Sequence, residues 1–189
     1  MSLIKSFLRP LKDWRIGRLP SRIFLKDQVI PALAAEGRKR MLFVGTRSYN
    51  RSAYERCRTE GIEVWSVDLD PAAAPWGAPA GHFIGGIADI DKLAPGMAFD
   101  VVIYNGVLGW GVNTAEDAIA SLAAIRRVTT PGALVFIGWN PGRTDGAEVA
   151  ALRPRLKRIA VGQIPEEIEF PPKGGAQRYP HRYELFTIP

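Results

Sequence analysis

Two apolar runs, each closing on a residue type with a special task, restrict this chain more than any other feature: Met41-Leu42-Phe43-Val44-Gly45 and Glu63-Val64-Trp65-Ser66-Val67-Asp68. A third, Phe99-Asp100-Val101-Val102-Ile103-Tyr104-Asn105, follows at a spacing that suits parallel strands joined by crossovers. An apolar strand, a glycine turn, a helix and a second strand ending in an acid are how an open parallel sheet builds a ligand crevice at its carboxyl edge. The pattern predicts where a nucleoside-type ligand sits. It carries much less about the chemistry done with it.

The remaining segments extend the alternation. Ser21 is placed to cap a helix through about Leu33, closed by Gly37, and a helix over 50–60 lies between the first two strands. The Pro- and Gly-rich stretch 71–81 reads as a loop, a short strand is expected near His82–Ile84, and a helix over 114–127 precedes the Pro131-Gly132 turn and a strand over 133–139. The tail offers two more strands, 157–161 and 183–188. This order predicts an α/β fold: a doubly wound, mostly parallel seven-stranded sheet with an antiparallel last strand and helices on both faces.

With 189 residues and 47% hydrophobic content the chain can bury one full core. The expected organisation is a basic amphipathic extension over 1–20 followed by one domain over 21–189. Cys57 is the only cysteine, so no intrachain disulfide forms, and no Cys/His cluster marks a metal site. No apolar run approaches the roughly 20 residues of a membrane span, and no secretory signal is evident. A cytoplasmic location is expected.

The net charge of +6 is unevenly placed. Residues 1–40 carry ten Lys/Arg against Asp13, Asp27 and Glu36, while the rest of the chain is almost neutral. Without a broad basic face on the core, a nucleic-acid partner is not expected. In the extension Leu3, Ile4, Phe7, Leu8 and Leu11 recur at helical spacing among Lys5, Arg9 and Lys12. Such a stripe packs on the core or a partner subunit, or lies peripherally on an anionic membrane.

Residues 41–139 resemble the class I S-adenosylmethionine-dependent methyltransferase domain. The resemblance rests on the glycine turn after the first strand, Val67-Asp68-Leu69-Asp70-Pro71 after the second, Phe99-Asp100-Val101-Val102-Ile103, and Pro131-Gly132-Ala133-Leu134-Val135-Phe136-Ile137. Arg182-Tyr183-Glu184-Leu185-Phe186 is similar to the last strand of that fold. The resemblance implies S-adenosylmethionine as cofactor. The turn agrees physically, since a single glycine in Gly45-Thr46-Arg47-Ser48-Tyr49 supports a pyrophosphate cradle poorly and S-adenosylmethionine carries no phosphate.

Candidate cofactor residues follow. Gly45, Thr46 and Arg47 form the turn, and Asp68 would accept from the ribose hydroxyls because an ionised carboxylate only accepts. Asp70 better suits capping of the turn at Pro71. Leu69 or Ile87 would flank the adenine, Asp89 would meet its amino group or cap a helix, and Arg47 or Arg51 would pair with the methionine carboxylate or stay solvated. Asn105, Trp110, Trp139 and Asn140 are expected to line the crevice between cofactor and acceptor, unless the tryptophans only cover the sheet end.

The chain departs from the family where Phe43, Arg47 and Tyr49 stand in place of an acid and two further glycines. Two readings stay open: a methyltransferase acting on a small-molecule or glycan-type acceptor, and a non-catalytic member of the fold serving as a binding or scaffold module. A nucleotide-sugar or dinucleotide enzyme is a distant third. No catalytic residue is assigned. His82 and His181 are the only histidines, each more often structural than a base.

Overall fold

The computed structural model describes residues 14–174 and 177–189. The expectations for the apolar stripe of residues 3–11 lie outside the described residues. Helix α1 runs continuously through Pro20–Phe24, a π-helical Leu25–Val29 and Ile30–Ala35. It starts with Pro20 in its first turn after Leu19, so Ser21 lies inside the helix instead of capping it. The wide π turn directly precedes Pro31, which has no N–H to give to the preceding turn.

The strands are β1 (Arg40–Val44), β2 (Glu63–Asp68), β3 (Gly81–Ile84), β4 (Phe99–Asn105), β5 (Thr129–Trp139), β6 (Lys157–Arg158), β7 (Glu167–Phe170) and β8 (His181–Thr187). Between them lie α2 (Arg51–Thr59), α3 (Ile90–Leu93), α4 (Ala115–Arg127) and α5 (Ala147–Leu152). The sheet order is β3-β2-β1-β4-β5-β8-β6, with β7 also pairing β8. Strands β1 to β5 are parallel, and β8 runs antiparallel to β5. The last position, expected as one strand over 157–161, is filled by two short pieces on successive stretches of β8: Lys157 faces Thr187 and Phe170 faces His181. Among the described residues the sheet therefore has eight strands.

Alternation along each strand sends residues to two cores. Leu42, Val44, Val102, Tyr104, Val135, Ile137 and Trp139 pack with Leu122 and Ile125 of α4 and Val149 and Leu152 of α5. Met41, Phe43, Val101, Ile103, Leu134 and Phe136 pack with Phe24, Ile30 and Leu33 of α1 and Tyr54 and Cys57 of α2. Helix α4 is fixed at its start by a capping box between Thr114 and Asp117. Stretch 71–81, read as a loop, contains a 3-10 segment, Pro71–Trp76, whose first turn is closed by the Asp70 carboxylate accepting from the Ala72 N–H at 2.9 Å.

A buried ion cluster ties the antiparallel edge together. Glu184, fully buried in β8, accepts from Arg153 (3.0 and 2.7 Å), Arg158 (2.6 Å) and the Trp139 indole (3.1 Å). Burial alone would raise its pKa, but hydrogen bonds and charge from Arg153, with help from Trp139 and Arg158, hold it below the ordinary glutamate value.

Candidate functional site

The parallel strands end together on one edge, and the loops leaving β1, β2 and β4 open a cleft of about 690 Å³ there. That volume is in the range of small-molecule and cofactor sites. Gly45 leaves β1 at φ +84, and a Cβ there would lie 3.1 Å from the Asn105 carbonyl oxygen, so the turn needs glycine twice over, for its left-handed backbone and for the closeness of β4.

The turn is locked onto the end of β2. Asp68, 8% exposed, accepts the Thr46 N–H at 2.6 Å and the Asp70 N–H at 2.9 Å. Its Oδ2 also takes a hydrogen bond from Arg47 at 2.7 Å, and the same Arg47 Nη1 reaches the Thr46 carbonyl at 2.5 Å. Thr46 is buried, with its hydroxyl 3.4 Å from that of Tyr54. Burial pushes the Tyr54 phenol up to about 12, against lowering by hydrogen bonds from Thr46, Ser66 and Asn50.

At the end of β4 a row crosses three strands. Asn105 is paired with Gly138, and Gly138 with Tyr183. The Asn105 amide reaches over the glycine to donate to the Tyr183 hydroxyl at 3.2 Å, and Tyr183 donates to the Ser21 carbonyl at 3.3 Å. A Cβ on Gly138 would stand 2.4 Å from Asn105 Oδ1, so this close approach is open only to glycine. Edge-on to Tyr183, at 4.6 Å, lies His181, the first residue of β8. Its pKa is held well below the ordinary histidine value by burial and then by Arg22.

Most of the sequence candidates meet at this cleft. Gly45, Thr46, Arg47, Asp68, Leu69, Ile87, Asn105, Trp110 and Asn140 all border it. Trp110 is 64% exposed and stacked by Arg143 at 4.3 Å, and Asn140 donates to the Pro180 carbonyl at 2.7 Å. Three candidates stand elsewhere. Trp139 does not line the cleft: strand alternation turns it into the core below the sheet, where its indole donates to Glu184. Asp89 is exposed outside the cleft and pairs with Lys92 at 2.6 Å, and Arg51 opens α2 on the exposed side.

The structure adds residues that the sequence reading did not place there: Ser21, Arg22, Tyr49, Gln177 and Arg178, together with His181. They come from α1, the turn after β1 and the approach to β8, and no local spacing joins segments so far apart in sequence. His82, by contrast, stays structural, its Nδ1 2.9 Å from the Ser66 hydroxyl.

No family model and no curated protein matches the chain. Solved structures do. N-methyltransferase NodS from Bradyrhizobium japonicum WM9 superposes with a TM-score of 0.65 at 14% identity, over 89% of this chain and 96% of that one. Its complex with S-adenosyl-L-homocysteine gives 0.68 at 12% identity, over 93% and 91%. A TehB-like SAM-dependent methyltransferase from Corynebacterium glutamicum gives 0.58 at 18% identity, over 85% and 88%. The chain has the fold of the class I S-adenosylmethionine-dependent methyltransferases. Among the described residues, no helix is long and apolar enough to cross a membrane.

Proposed function

We propose that the protein is an S-adenosylmethionine-dependent methyltransferase that binds its cofactor over the ends of β1, β2 and β4 and acts on a small-molecule or glycan-type acceptor. One observation carries the reading: Asp68 ends β2 at the border of the cleft, directly opposite the glycine turn of β1. The neighbouring NodS structure, named as an N-methyltransferase and solved with S-adenosyl-L-homocysteine, supports it.

The residues fit the cofactor. A carboxylate offers about four lone-pair sites, and Asp68 uses three, on Thr46, Asp70 and Arg47. It accepts one ribose hydroxyl as it stands and a second when Arg47 turns away. Exposed Leu69 and buried Ile87 border the cleft where an adenine needs apolar faces. The buried Oδ1 atoms of Asn50 and Asn105 lack partners among the described residues and suit the methionine ammonium, which donates three hydrogen bonds. Arg47 stands on Asp68, which supports a role in holding that carboxylate more than one on the methionine carboxylate.

When bound, S-adenosylmethionine supplies an electrophilic methyl group on a sulfonium. The chain's contribution is alignment: Asn105, fixed by Tyr183, and Asn140, fixed by Pro180, hold the floor between cofactor and acceptor. Trp110 borders the opening and would limit water there.

The second reading, a binding module without transfer, is favoured by Arg47, which covers the acid that the cofactor needs. Isothermal titration with S-adenosylmethionine and S-adenosylhomocysteine, with NAD and a nucleotide sugar as controls, tests both. Saturable binding of the first pair alone supports the proposal. A folded protein that binds neither supports the module.

A further inference from the structure

The corner of the cleft between the starts of α1 and β8 gathers groups to which the cofactor contacts proposed above assign no role. Two of them are buried and lack a hydrogen-bond partner among the described residues: Nε2 of His181, 4% exposed, and Oε1 of Gln177, 7% exposed. Both residues border the cavity. Buried polar atoms in a folded protein are normally satisfied, so unpartnered ones beside a cavity call for a bonding group there, water or ligand.

The charge of this corner is also uncompensated. Arg22 is half-buried, with its guanidinium over the Tyr49 ring at 5.1 Å, and no carboxylate among the described residues pairs with it. The exposed Arg178 stands at the same opening, over Tyr179 at 5.5 Å. Asp68 is the one carboxylate bordering the cleft among the described residues, and Arg47 already occupies it. His181 is neutral, held so by burial and by Arg22 itself. The groups around it are therefore Arg22 from α1, Tyr49 from the turn after β1, and Tyr183 from β8, with no negative charge among them.

We propose that this corner is the acceptor subsite and that it takes a small acceptor bearing an oxyanion, carboxylate or phosphate. The oxyanion lies on Arg22 with Arg178 beside it, and the acceptor's hydroxyl or amine groups meet Gln177 and His181. Guanidinium forks bind carboxylate and phosphate oxygens through paired, charge-assisted hydrogen bonds. Tyr49 and Tyr179 border the same cleft and offer ring faces to the apolar body of such an acceptor. This inference rests on the methyltransferase reading of the same cleft.

The test follows the Arg22 side-chain N–H and the His181 ring by NMR in the full chain, titrated with acetate, inorganic phosphate and, as the neutral isostere, acetamide. It is run with and without saturating S-adenosylhomocysteine. Acetate or phosphate should move the Arg22 signal saturably in the millimolar range with the His181 ring moving in parallel, and acetamide should move neither. The tighter anion identifies the source. Arg22→Gln should weaken the anion roughly tenfold or more, as expected for a charge-assisted contact, and leave S-adenosylhomocysteine binding unchanged. The proposal is overturned by no saturation with either anion, by an equal response to acetamide, or by an Arg22→Gln variant that loses S-adenosylhomocysteine instead. Failure of S-adenosylhomocysteine to bind would overturn the methyltransferase reading and with it the acceptor role, while the anion site itself is judged separately by the titration without S-adenosylhomocysteine.

Discussion

Nη1 of Arg47 lies 2.7 Å from Oδ2 of Asp68, so the acid at the end of β2 is held by the turn that leaves β1. The pair is asymmetric, with the arginine side chain 46% exposed and the aspartate side chain 7% exposed. The buried member is therefore fixed and the exposed one is free to leave. An exposed partner of this kind contributes at most about 1 kcal/mol, which a bound ribose readily replaces.

Arg47→Met should accordingly tighten S-adenosylhomocysteine by up to about fivefold, the equivalent of about 1 kcal/mol, and titration calorimetry reads this directly. A loss of affinity would place Arg47 on the methionine carboxylate instead.

Glu184→Ala should destabilise the fold by about 1–3 kcal/mol, because it strands the buried Trp139 indole N–H, while Arg153 and Arg158, each 38% exposed, turn to water and Arg158 keeps Glu167. Urea unfolding measures the loss. The Glu184 pKa is depressed in the folded state, so its stabilisation is full above the unfolded value near 4.5 and is lost as pH falls through the folded value. Glu184→Gln should flatten that acid limb.

His181 predicts a second pH effect at higher pH. Its folded pKa lies well below 6.5, so below pH 6.5 the unfolded chain binds a proton that the folded chain refuses. Stability should fall toward acid by about 1 kcal/mol per pH unit from this residue. His181→Gln should remove that slope as pH falls below about 6.5; an unchanged slope would contradict the burial described here.

Cys57 is fully buried, and burial raises its thiol to about 12. A thiol reagent should leave the native protein unmodified and react stoichiometrically in denaturant. Fast modification of the native state would contradict the packing of α2 on β1.

Gly138→Ala tests the row from β4 to β8. The added Cβ would meet Asn105 Oδ1 at 2.4 Å and the Tyr183 ring at 2.7 Å, and both belong to packed elements. A loss of about 1–3 kcal/mol is expected, with weaker S-adenosylhomocysteine binding as Asn105 shifts.

The fold was largely legible because the parallel strands are short apolar runs buried on both faces and bounded by glycines, as in Met41-Leu42-Phe43-Val44-Gly45. The antiparallel edge was less so. β6 has two residues and β7 is half-exposed, and neither carries a periodic pattern long enough to read. At the site, the places of Asp68 and Gly45 beside the cleft were legible because they follow from position in a strand–turn–helix unit. Trp139 shares the face of Val135 and Ile137, and because both faces of β5 are apolar its sequence does not mark which one turns from the cleft. Arg22 and Gln177 reach the cleft through tertiary packing alone. The sequence does hold one overlooked signal: Glu184 stands inside Tyr183-Glu184-Leu185-Phe186, an otherwise apolar strand, where a charge requires buried partners.

The most direct test of the account is the dissociation constant of S-adenosylhomocysteine for the wild-type chain and for Asp68→Ala, measured by calorimetry alongside a folding check by circular dichroism. Micromolar binding that weakens more than roughly tenfold in a folded Asp68→Ala variant, as loss of a charge-assisted contact implies, is the predicted result. Wild-type binding left unchanged by Asp68→Ala, or no binding by the folded wild-type protein, would contradict it.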